Sequence, residues 1–198
     1  MRHSKLLVAT KNAGKIKELT ELLTNSGLEI ISLSSFPSLV DVEETGLTFT
    51  ENALIKAHYY YKETQILSLS DDSGLSVDAL DGAPGVYSAR YGGPNASDRT
   101  RYEKLLTELK DTPLEKRTAR FTCSLALVGK DLEEVFSANT EGRIIFSPRG
   151  ENGFGYDPIF EYLPLSKTFA ELNSQEKASV SHRGKALAKL REYITNKL

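Results

Sequence analysis

The chain opens with a strand, a polar loop and a helix in immediate succession. Residues 6–9 are apolar, and residues 16–23 repeat apolar side chains at helical spacing. The loop between them is Thr10-Lys11-Asn12-Ala13-Gly14-Lys15. A loop that opens a helix directs backbone N–H groups and the positive end of the helix dipole outward, which favours an anion. A phosphate chain is therefore the expected ligand, and an ordinary βα turn is the alternative.

Known phosphate loops have other glycine spacings. The P-loop pattern G-x-x-x-x-G-K-[ST] is absent from this segment, and so is the dinucleotide pattern G-x-G-x-x-G. The loop alone therefore does not decide between the two interpretations.

Composition excludes several classes of protein. The chain has 198 residues and a net charge of −2, so no overall positive field attracts nucleic acid or an anionic membrane. Cys123 is the single cysteine and lies in an apolar alternating segment, which predicts a buried strand residue and excludes a disulfide within the chain. No signal region and no long apolar span are present, so we expect a cytoplasmic protein without membrane or nucleic-acid partners.

Helical and strand patterns alternate through the first half. We predict strands at residues 5–10 and near 29–33, and helices at residues 14–26 and 48–63. Residues 65–70 are typical of a strand that ends at Asp71-Asp72-Ser73-Gly74. This alternation predicts a mixed α/β sheet.

The second half has the pattern of an antiparallel sheet. Ser97-Asp98 is expected to cap a helix that runs to residue 110. Strands are predicted at residues 119–128 and 134–145, joined by a turn at residues 129–131. A polar, lysine-rich helix is predicted from residue 174 onward. We expect this half to form a separate lobe, with a ligand-binding cleft between lobes.

Two acidic pairs precede glycines. Asp71-Asp72 follows an apolar strand, where ligands bind in open α/β sheets, and Glu43-Glu44 lies earlier in the chain. Adjacent strand residues point to opposite faces, so we expect only one of Asp71 and Asp72 in a site. Such oxygen ligands suit Mg²⁺, which commonly takes one or two protein carboxylates beside a phosphate substrate. Solvated turns are the alternative.

Two late segments carry groups suited to a nucleobase. Gly153-Phe154-Gly155-Tyr156-Asp157-Pro158 places aromatic rings between glycines, which suits stacking on a base or, alternatively, a tight loop with core aromatics. Lys177 and Ser181-His182-Arg183-Gly184-Lys185 supply donors or form a solvated basic helix face. Lys56, on the second predicted helix, adds a positive charge for phosphates.

Taken together, these segments resemble the inosine triphosphate pyrophosphatase family, also called Ham1-like proteins. The resemblance covers residues 6–190 and rests on several motifs in the same order. The matching segments are Thr10-x-Asn12-x-x-Lys15, Glu43-Glu44-Thr45-Gly46, Phe49-x-Glu51-Asn52-Ala53, Asp71-Asp72-Ser73-Gly74-Leu75, residues 82–90, Gly153-Phe154-Gly155-Tyr156-Asp157-Pro158 and Ser181-His182-Arg183-Gly184.

The resemblance implies a fold, a reaction and an assembly. The fold would be one α/β mixed domain over residues 1–198, elongated and two-lobed, with a central mixed sheet and a cleft between the lobes. The reaction would be hydrolysis of ITP, dITP and XTP to the monophosphate and pyrophosphate with Mg²⁺, which cleanses the nucleotide pool. The usual assembly is a homodimer.

The resemblance also implies roles for individual residues. The groups around the phosphates would be Thr10, Lys11, Asn12, Ala13, Gly14, Lys15 and Lys56. Glu43 and Asp72 would ligate Mg²⁺, and Asp72 would also be the catalytic general base. Ser73 would touch the substrate. The groups around the base and sugar would be Phe154, Gly155, Tyr156, Asp157, Lys177, His182 and Arg183.

Selectivity would follow from hydrogen-bonding patterns. Hypoxanthine and xanthine present O6 as an acceptor and N1–H as a donor, and adenine presents the reverse. Arg183, Lys177 or loop N–H groups would supply the donor to O6, and a mismatched base would leave buried polar groups unpaired.

The sequence departs from the family pattern at one position, and two other classes of protein are alternatives. Ala138 stands where the family often has glycine, which affects the expected local strand geometry rather than the chemistry. A Maf-like nucleotide pyrophosphatase would share the architecture and reaction but act on other bases. A nucleotide-binding module without catalysis would not need Glu43, Asp72 and Lys15 together.

Overall fold

The computed structural model describes residues 5–24 and 26–197. Its α-helices are α1 (Ala13–Leu23), α2 (Phe49–Thr64), α3 (Asp98–Glu108), α4 (Ser174–Val180) and α5 (His182–Lys197). Its strands are β1 (Lys5–Val8), β2 (Glu29–Ser32), β3 (Leu67–Val77), β4 (Thr118–Gly129), β5 (Leu132–Ile144), β6 (Phe160–Tyr162) and β7 (Lys167–Thr168).

The strands form a seven-stranded mixed sheet in the order β2-β1-β3-β4-β5-β6-β7. β1 pairs in parallel with β2 and β3, and β6 pairs in antiparallel with β5 and β7. β4 and β5 are neighbours joined by two residues, which is the connection of an antiparallel hairpin. The predicted mixed α/β sheet is confirmed.

The chain divides into two compact units. The first unit comprises Met1–Asp72, Cys123–Ala138 and Arg183–Leu198. The second unit comprises Ser73–Thr122 and Asn139–His182. The expectation that the second half forms a lobe of its own is wrong, because each unit draws on both halves of the sequence. The description of residues 1–198 as one domain stays a prediction.

The core of the first unit packs α1 and α5 onto strands of the sheet. Leu19 and Leu23 recur four residues apart on α1, so both side chains lie on one face of the helix. They pack in one cluster with residues of β1, β3, β4 and α5. Members of this cluster with no exposed surface are Leu6, Leu19, Leu23, Leu69, Cys123, Leu125, Leu127, Ala186 and Leu190. The buried position predicted for Cys123 is confirmed.

The core of the second unit contains a group of packed aromatic rings. The rings of Phe121 and Phe160 meet edge to face, with centroids 4.7 Å apart. Phe121 and Phe169 are stacked at 5.7 Å. These rings pack with apolar residues of α3, β5 and the segment around Ile159.

β3 is longer than the sequence pattern indicates. The strand was expected to end before Asp71, but it continues through Asp71-Asp72-Ser73-Gly74 to Val77. Asp, Ser and Gly favour turns through local hydrogen bonds and backbone freedom, so the sequence alone predicts that the strand ends here. In the fold, the Asp71 and Asp72 side chains are held by ion pairs to distant lysine and arginine side chains, so they lie in the middle of a strand.

The predicted C-terminal helix consists of two helices. Ser181 has extended backbone angles, φ −74° and ψ 155°, and separates α4 from α5. Its N–H donates to the carbonyl of Lys177 at 2.8 Å, which closes the end of α4. His182 begins α5, and both His182 and Arg183 are buried. The alternative of a solvated basic face is therefore wrong for these two residues. Among the described residues, no helix has the length and apolar character to cross a membrane.

Candidate functional site

The turn between β1 and α1 has the geometry of an anion site. The Asn12 side chain accepts a hydrogen bond from the backbone N–H of Lys15 at 3.0 Å and caps the helix. Thr10 Oγ1 accepts from the N–H of Asn12 at 3.2 Å. Ala13 and Gly14 occupy the first two helical positions, where a helix supplies no acceptor for the N–H group. These amides and the dipole of α1 favour a negative ligand. We call residues 10–15 the phosphate loop.

Lys15 joins the phosphate loop to Asp71 on β3. Its Nζ lies 2.5 Å from Asp71 Oδ1 and donates to the Asp71 carbonyl oxygen at 3.3 Å. Asp71 is fully buried, and its Oδ2 accepts from Arg183 Nε at 2.7 Å and from the Cys123 thiol at 3.4 Å. Burial alone would raise the pKa of Asp71, but the charges of Arg183 and Lys15 hold that pKa well below its ordinary value.

Arg183 continues this ion-pair network back to α1. Its Nη1 lies 2.5 Å from Glu18 Oε2, and its side chain is 3% exposed. Burial would lower the pKa of Arg183, but Asp71 and Glu18 outweigh it and raise that pKa. The structure thus places Arg183 on two carboxylates of the first unit. Glu18 was missed from the sequence, although its position three residues after Lys15 puts both on one face of α1.

Lys56 on α2 brings a second ammonium group to the same strand. Its Nζ lies 2.6 Å from Glu44 Oε1 and 3.3 Å from Asp72 Oδ1. It also donates to the carbonyl oxygen of Asp71 at 2.9 Å. Burial would lower the pKa of Lys56, but the charges of Asp72 and Glu44 raise it, so this ammonium stays charged.

Asp72 is the carboxylate with spare hydrogen-bonding capacity. Its side chain is buried, and within residues 5–24 and 26–197 its Oδ2 has no hydrogen-bond partner. Burial raises the pKa of Asp72, as do the nearby charges of Glu44 and Asp71, while Lys56 and Lys15 act in the opposite direction. The net raised pKa makes Asp72 a better proton acceptor than an ordinary aspartate when it is ionised.

Of the neighbouring residues Glu43 and Glu44, Glu44 is the one that shares the Lys56 ammonium with Asp72. Glu44 is half-buried and ion-paired with Lys56, whereas Glu43 is exposed. Among the described residues no set of three or more His, Cys, Asp or Glu side chains could hold a metal by itself. Mg²⁺ with a phosphate substrate commonly takes only one or two protein carboxylates. Asp72 Oδ2, which has no hydrogen-bond partner among the described residues, and Glu44, which shares Lys56 with Asp72, fit that requirement.

Hydrogen bonds to α2 fix the irregular segment that carries Glu44. The N–H of Gly46 donates to Asn52 Oδ1 at 2.8 Å. Thr48 and Glu51 form a reciprocal capping box at the start of α2. A Cβ on residue 46 would come within 2.7 Å of Asn52 Oδ1, so glycine permits this close approach.

Lys11 belongs to the phosphate loop, but its side chain pairs with a different carboxylate from those that bind Lys15 and Lys56. Its side chain is 56% exposed, and its Nζ pairs with Asp41 at 2.7 Å. The structure therefore brings Lys15 and Lys56 to the acidic strand, and it places Lys11 on a surface ion pair.

In the second unit, Asp157 organises the glycine-rich segment, which we call the aromatic loop (residues 153–158). Asp157 Oδ2 accepts from the N–H of Phe154 at 2.8 Å and from Lys177 Nζ at 2.7 Å. Lys177 Nζ also lies 4.9 Å from the centroid of the Phe154 ring, which is a cation–π contact. Gly153 has φ +78°, and an added Cβ would collide with the Asp157 carboxylate. Glycine is therefore required at this turn.

Other predicted base-site residues lie in the core of the second unit. Tyr156 is buried, and its hydroxyl donates to the carbonyl of Ser88 at 2.8 Å. The His182 ring stacks on Phe121 with centroids 4.7 Å apart and planes 8° apart. Ser73, which was predicted only to contact the substrate, lies outside this core: it follows Asp72 along β3 and is half-buried.

Comparison with known proteins places these features in a family. The family model described as the Ham1 family matches residues 6–193. The chain is similar to proteins named dITP/XTP pyrophosphatase. It is 48% identical over 192 residues to that of Bacillus cereus, which covers 96% of this chain and 94% of the relative. It is 49% identical to that of Geobacter sulfurreducens, which covers 96% of each chain.

A solved structure shares the fold. The Ham1 protein of Staphylococcus aureus superposes with a TM-score of 0.88 and 40% sequence identity. The match covers 98% of this chain and 100% of that protein. The likeness therefore extends over the whole architecture, including the strands and helices that carry the site residues.

Proposed function

The chain belongs to the Ham1 family, and from this premise we propose that it hydrolyses deaminated purine nucleoside triphosphates. The substrates are ITP, dITP and XTP, and the products are the nucleoside monophosphate and pyrophosphate. Relatives that cover nearly the whole chain are named dITP/XTP pyrophosphatase. The observation that carries the proposal is the convergence of Lys15 and Lys56 on the Asp71 carbonyl, next to the partly unpartnered Asp72.

The triphosphate is assigned to the phosphate loop and the two lysines. The amides of Ala13 and Gly14 and the dipole of α1 attract phosphate oxygens. Lys15 and Lys56 supply positive charge, and both Nζ atoms already lie on one carbonyl oxygen. Groups fixed in this way stabilise charge that develops on the phosphates without reorganising during the reaction.

Mg²⁺ is the proposed cofactor, and Asp72 and Glu44 are the residues that would hold it. When bound, it neutralises phosphate charge and polarises the phosphoryl group under attack. The sequence prediction named Glu43 with Asp72. The exposure of Glu43 and the pairing of Glu44 with Lys56 favour Glu44 instead.

Asp72 is proposed to be the general base. Its carboxylate removes a proton from a water molecule, and the oxygen of that water forms a bond to the α-phosphorus. The bond from the α-phosphorus to the bridging oxygen of the β-phosphate breaks, and pyrophosphate leaves with its charge held by Lys15 and Lys56. Positioning and charge stabilisation supply most of the acceleration in such phosphoryl transfers.

Base selectivity is assigned to the aromatic loop and Lys177. The Lys177 ammonium can donate to O6 of hypoxanthine or xanthine, and the Asp157 carboxylate can accept from N1–H. Adenine has a donor amino group at position 6 and an acceptor at N1. Lys177 would then face a donor and Asp157 an acceptor, and buried polar groups left unpaired cost free energy. Guanine shares O6 and N1–H with hypoxanthine, so rejection of GTP has to act at the 2-amino group.

A substrate panel tests the proposed function. Pyrophosphate release is measured for ITP, dITP, XTP, ATP, GTP, CTP and TTP, each with and without Mg²⁺. We expect Mg²⁺-dependent release from the three deaminated purine nucleotides at a kcat/KM well above that for ATP. Preference for other bases would favour a Maf-like enzyme, and binding without release would favour a non-catalytic module.

A homodimer is proposed on the family resemblance, and a cytoplasmic location stays the prediction of the sequence analysis. Light scattering of the purified chain tests the first: a mass of twice 21.9 kDa supports the dimer, and a mass of 21.9 kDa contradicts it. Fractionation of cells that express the chain tests the second.

A further inference from the structure

We propose that Asp98 is a positioning residue for base recognition and that it acts through the backbone amide of Gly155. Asp98 is the first residue of α3, and its Oδ2 accepts a hydrogen bond from Gly155 N–H at 2.7 Å. The inference rests on the proposed function, in which the aromatic loop receives the nucleobase.

The Asp98 carboxylate is held from both sides. Its Oδ1 lies 2.5 Å from Arg101 Nη1, one turn further along α3, while its Oδ2 holds the loop. The Arg101 side chain is 22% exposed and the Asp98 side chain 43%, so Arg101 is the more shielded member of the pair. A carboxylate fixed in this way is an oriented acceptor rather than a freely rotating one.

Asp98 completes the internal hydrogen bonding of the aromatic loop. Phe154 N–H donates to Asp157 Oδ2, and Asp157 N–H donates to the Phe154 carbonyl at 3.2 Å. With Gly155 N–H on Asp98, these three amides are committed within the protein. Base recognition then falls to side chains and to the Phe154 ring, rather than to these loop N–H groups.

The loop needs external anchors because of its glycines. Phe154 lies between Gly153 and Gly155, whose φ values are +78° and +63°. Glycine gives the backbone little intrinsic restraint, so the peptide planes on either side of Phe154 are set by their hydrogen bonds. Asp157 fixes the Phe154 amide and Asp98 fixes the next one. Loss of Asp98 leaves the plane between Phe154 and Gly155 with one hydrogen bond, from Asp157 N–H to the Phe154 carbonyl, and so loosens the ring that stacks on the base.

The test compares Asp98→Ala with Asp98→Asn. Alanine removes the acceptor, whereas asparagine keeps an oxygen for Gly155 N–H. Both variants retain the helix cap, because Ser97 Oγ accepts from Thr100 N–H at 3.1 Å. Glu103→Ala is the matched control, since Glu103 lies on the same helix and pairs only at the surface with Arg99.

We expect Asp98→Ala to raise KM for ITP about tenfold and to lower the preference for ITP over ATP by a similar factor. Its kcat should stay within about twofold, because the phosphate groups are untouched. Asp98→Asn should recover most of the KM effect, and Glu103→Ala should behave as wild type. In amide hydrogen exchange by NMR, Gly155 should exchange faster in Asp98→Ala than in wild type or Asp98→Asn.

Two results would overturn the inference. One is unchanged Gly155 exchange and unchanged KM in Asp98→Ala. The other is a loss confined to kcat, which would indicate a general disturbance of the reaction. If the wild-type chain releases no pyrophosphate from ITP, the proposed function fails, and Gly155 exchange still decides whether Asp98 anchors the loop.

Discussion

Lys15 and Lys56 donate to the same acceptor, the backbone carbonyl oxygen of Asp71, at 3.3 and 2.9 Å. The two lysines come from α1 and α2, so this single oxygen ties the phosphate loop to the acidic strand. The Asp71 carboxylate neutralises Lys15, and the Asp72 carboxylate faces Lys56. The two adjacent residues therefore differ: the Asp71 carboxylate is paired with Lys15 and Arg183, whereas Asp72 Oδ2 has no hydrogen-bond partner among the described residues.

Replacement of the proposed base should abolish turnover but not binding. We expect Asp72→Asn to lower kcat for ITP by on the order of 10²–10⁴, since a positioned base contributes about that factor. The nucleotide should still bind, because the phosphate loop, Lys15 and Lys56 remain. Pyrophosphate release measures kcat, and calorimetry with ITP measures Kd. Wild-type turnover in this variant would show that Asp72 is not the base.

The acidic limb of the pH–rate profile should report Asp72. Its pKa is raised by burial, so the base becomes protonated at a higher pH than an ordinary aspartate would. As pH falls below that pKa, kcat/KM for ITP should fall tenfold per pH unit. The measurement is kcat/KM from about pH 4 to pH 8, around and above the ordinary aspartate pKa. A flat profile down to the ordinary aspartate pKa would contradict this assignment.

Adjacent aspartates should affect stability in opposite directions. The pKa of Asp71 is lowered in the folded state, so its contribution is complete above its unfolded pKa and is lost as pH falls through the folded pKa. Asp71→Asn leaves Arg183 and Lys15 short of a buried partner, and we expect a loss of about 3–5 kcal/mol of unfolding free energy at neutral pH.

Ionisation of Asp72 should affect the free energy of unfolding in the opposite direction. Its folded-state pKa is raised, so its ionisation costs stability at neutral pH, and Asp72→Asn should leave the free energy of unfolding unchanged or higher. Urea denaturation of wild type and both variants at neutral pH and at about pH 3, below the ordinary aspartate pKa, provides the comparison. Below the unfolded pKa the difference between Asp71→Asn and wild type should shrink. Equal losses for the two variants would contradict the division of roles.

The two neighbouring glutamates form a matched pair for the metal assignment. Glu44→Gln removes a carboxylate beside Asp72 and Lys56, so we expect a higher Mg²⁺ concentration for half-maximal activity and weaker Mn²⁺ binding by calorimetry. Glu43→Gln alters an exposed side chain and should behave as wild type. The reverse order of effects would restore the sequence prediction of Glu43.

Local sequence patterns predicted the elements well where local chemistry decides them. Asn12 caps α1 and Ser97 caps α3, as polar residues before apolar helical spacing predict. Cys123 is buried because its strand alternates apolar residues inside the core. The motifs also grouped Lys15 with Asp71-Asp72 in one hypothesis, and the structure pairs Lys15 with Asp71.

The partners of several charged side chains depend on contacts between residues far apart in the sequence, which local patterns do not predict. Asp71 looks like a turn residue, but its partners Lys15 and Arg183 lie 56 and 112 residues away along the chain. Arg183 was predicted to face the base, yet its guanidinium bridges Asp71 and Glu18. The choice between Glu43 and Glu44 depends on which of them reaches Lys56, which neither spacing nor composition specifies.

Hydrolysis of ITP in water labelled with heavy oxygen tests the central claim most directly. Attack by a water on the α-phosphorus places the label in the nucleoside monophosphate and leaves pyrophosphate unlabelled. Mass spectrometry of the separated products should therefore find one labelled oxygen in IMP, only when Mg²⁺ is present. Label in the pyrophosphate, or products that consist of IDP and inorganic phosphate, would contradict it.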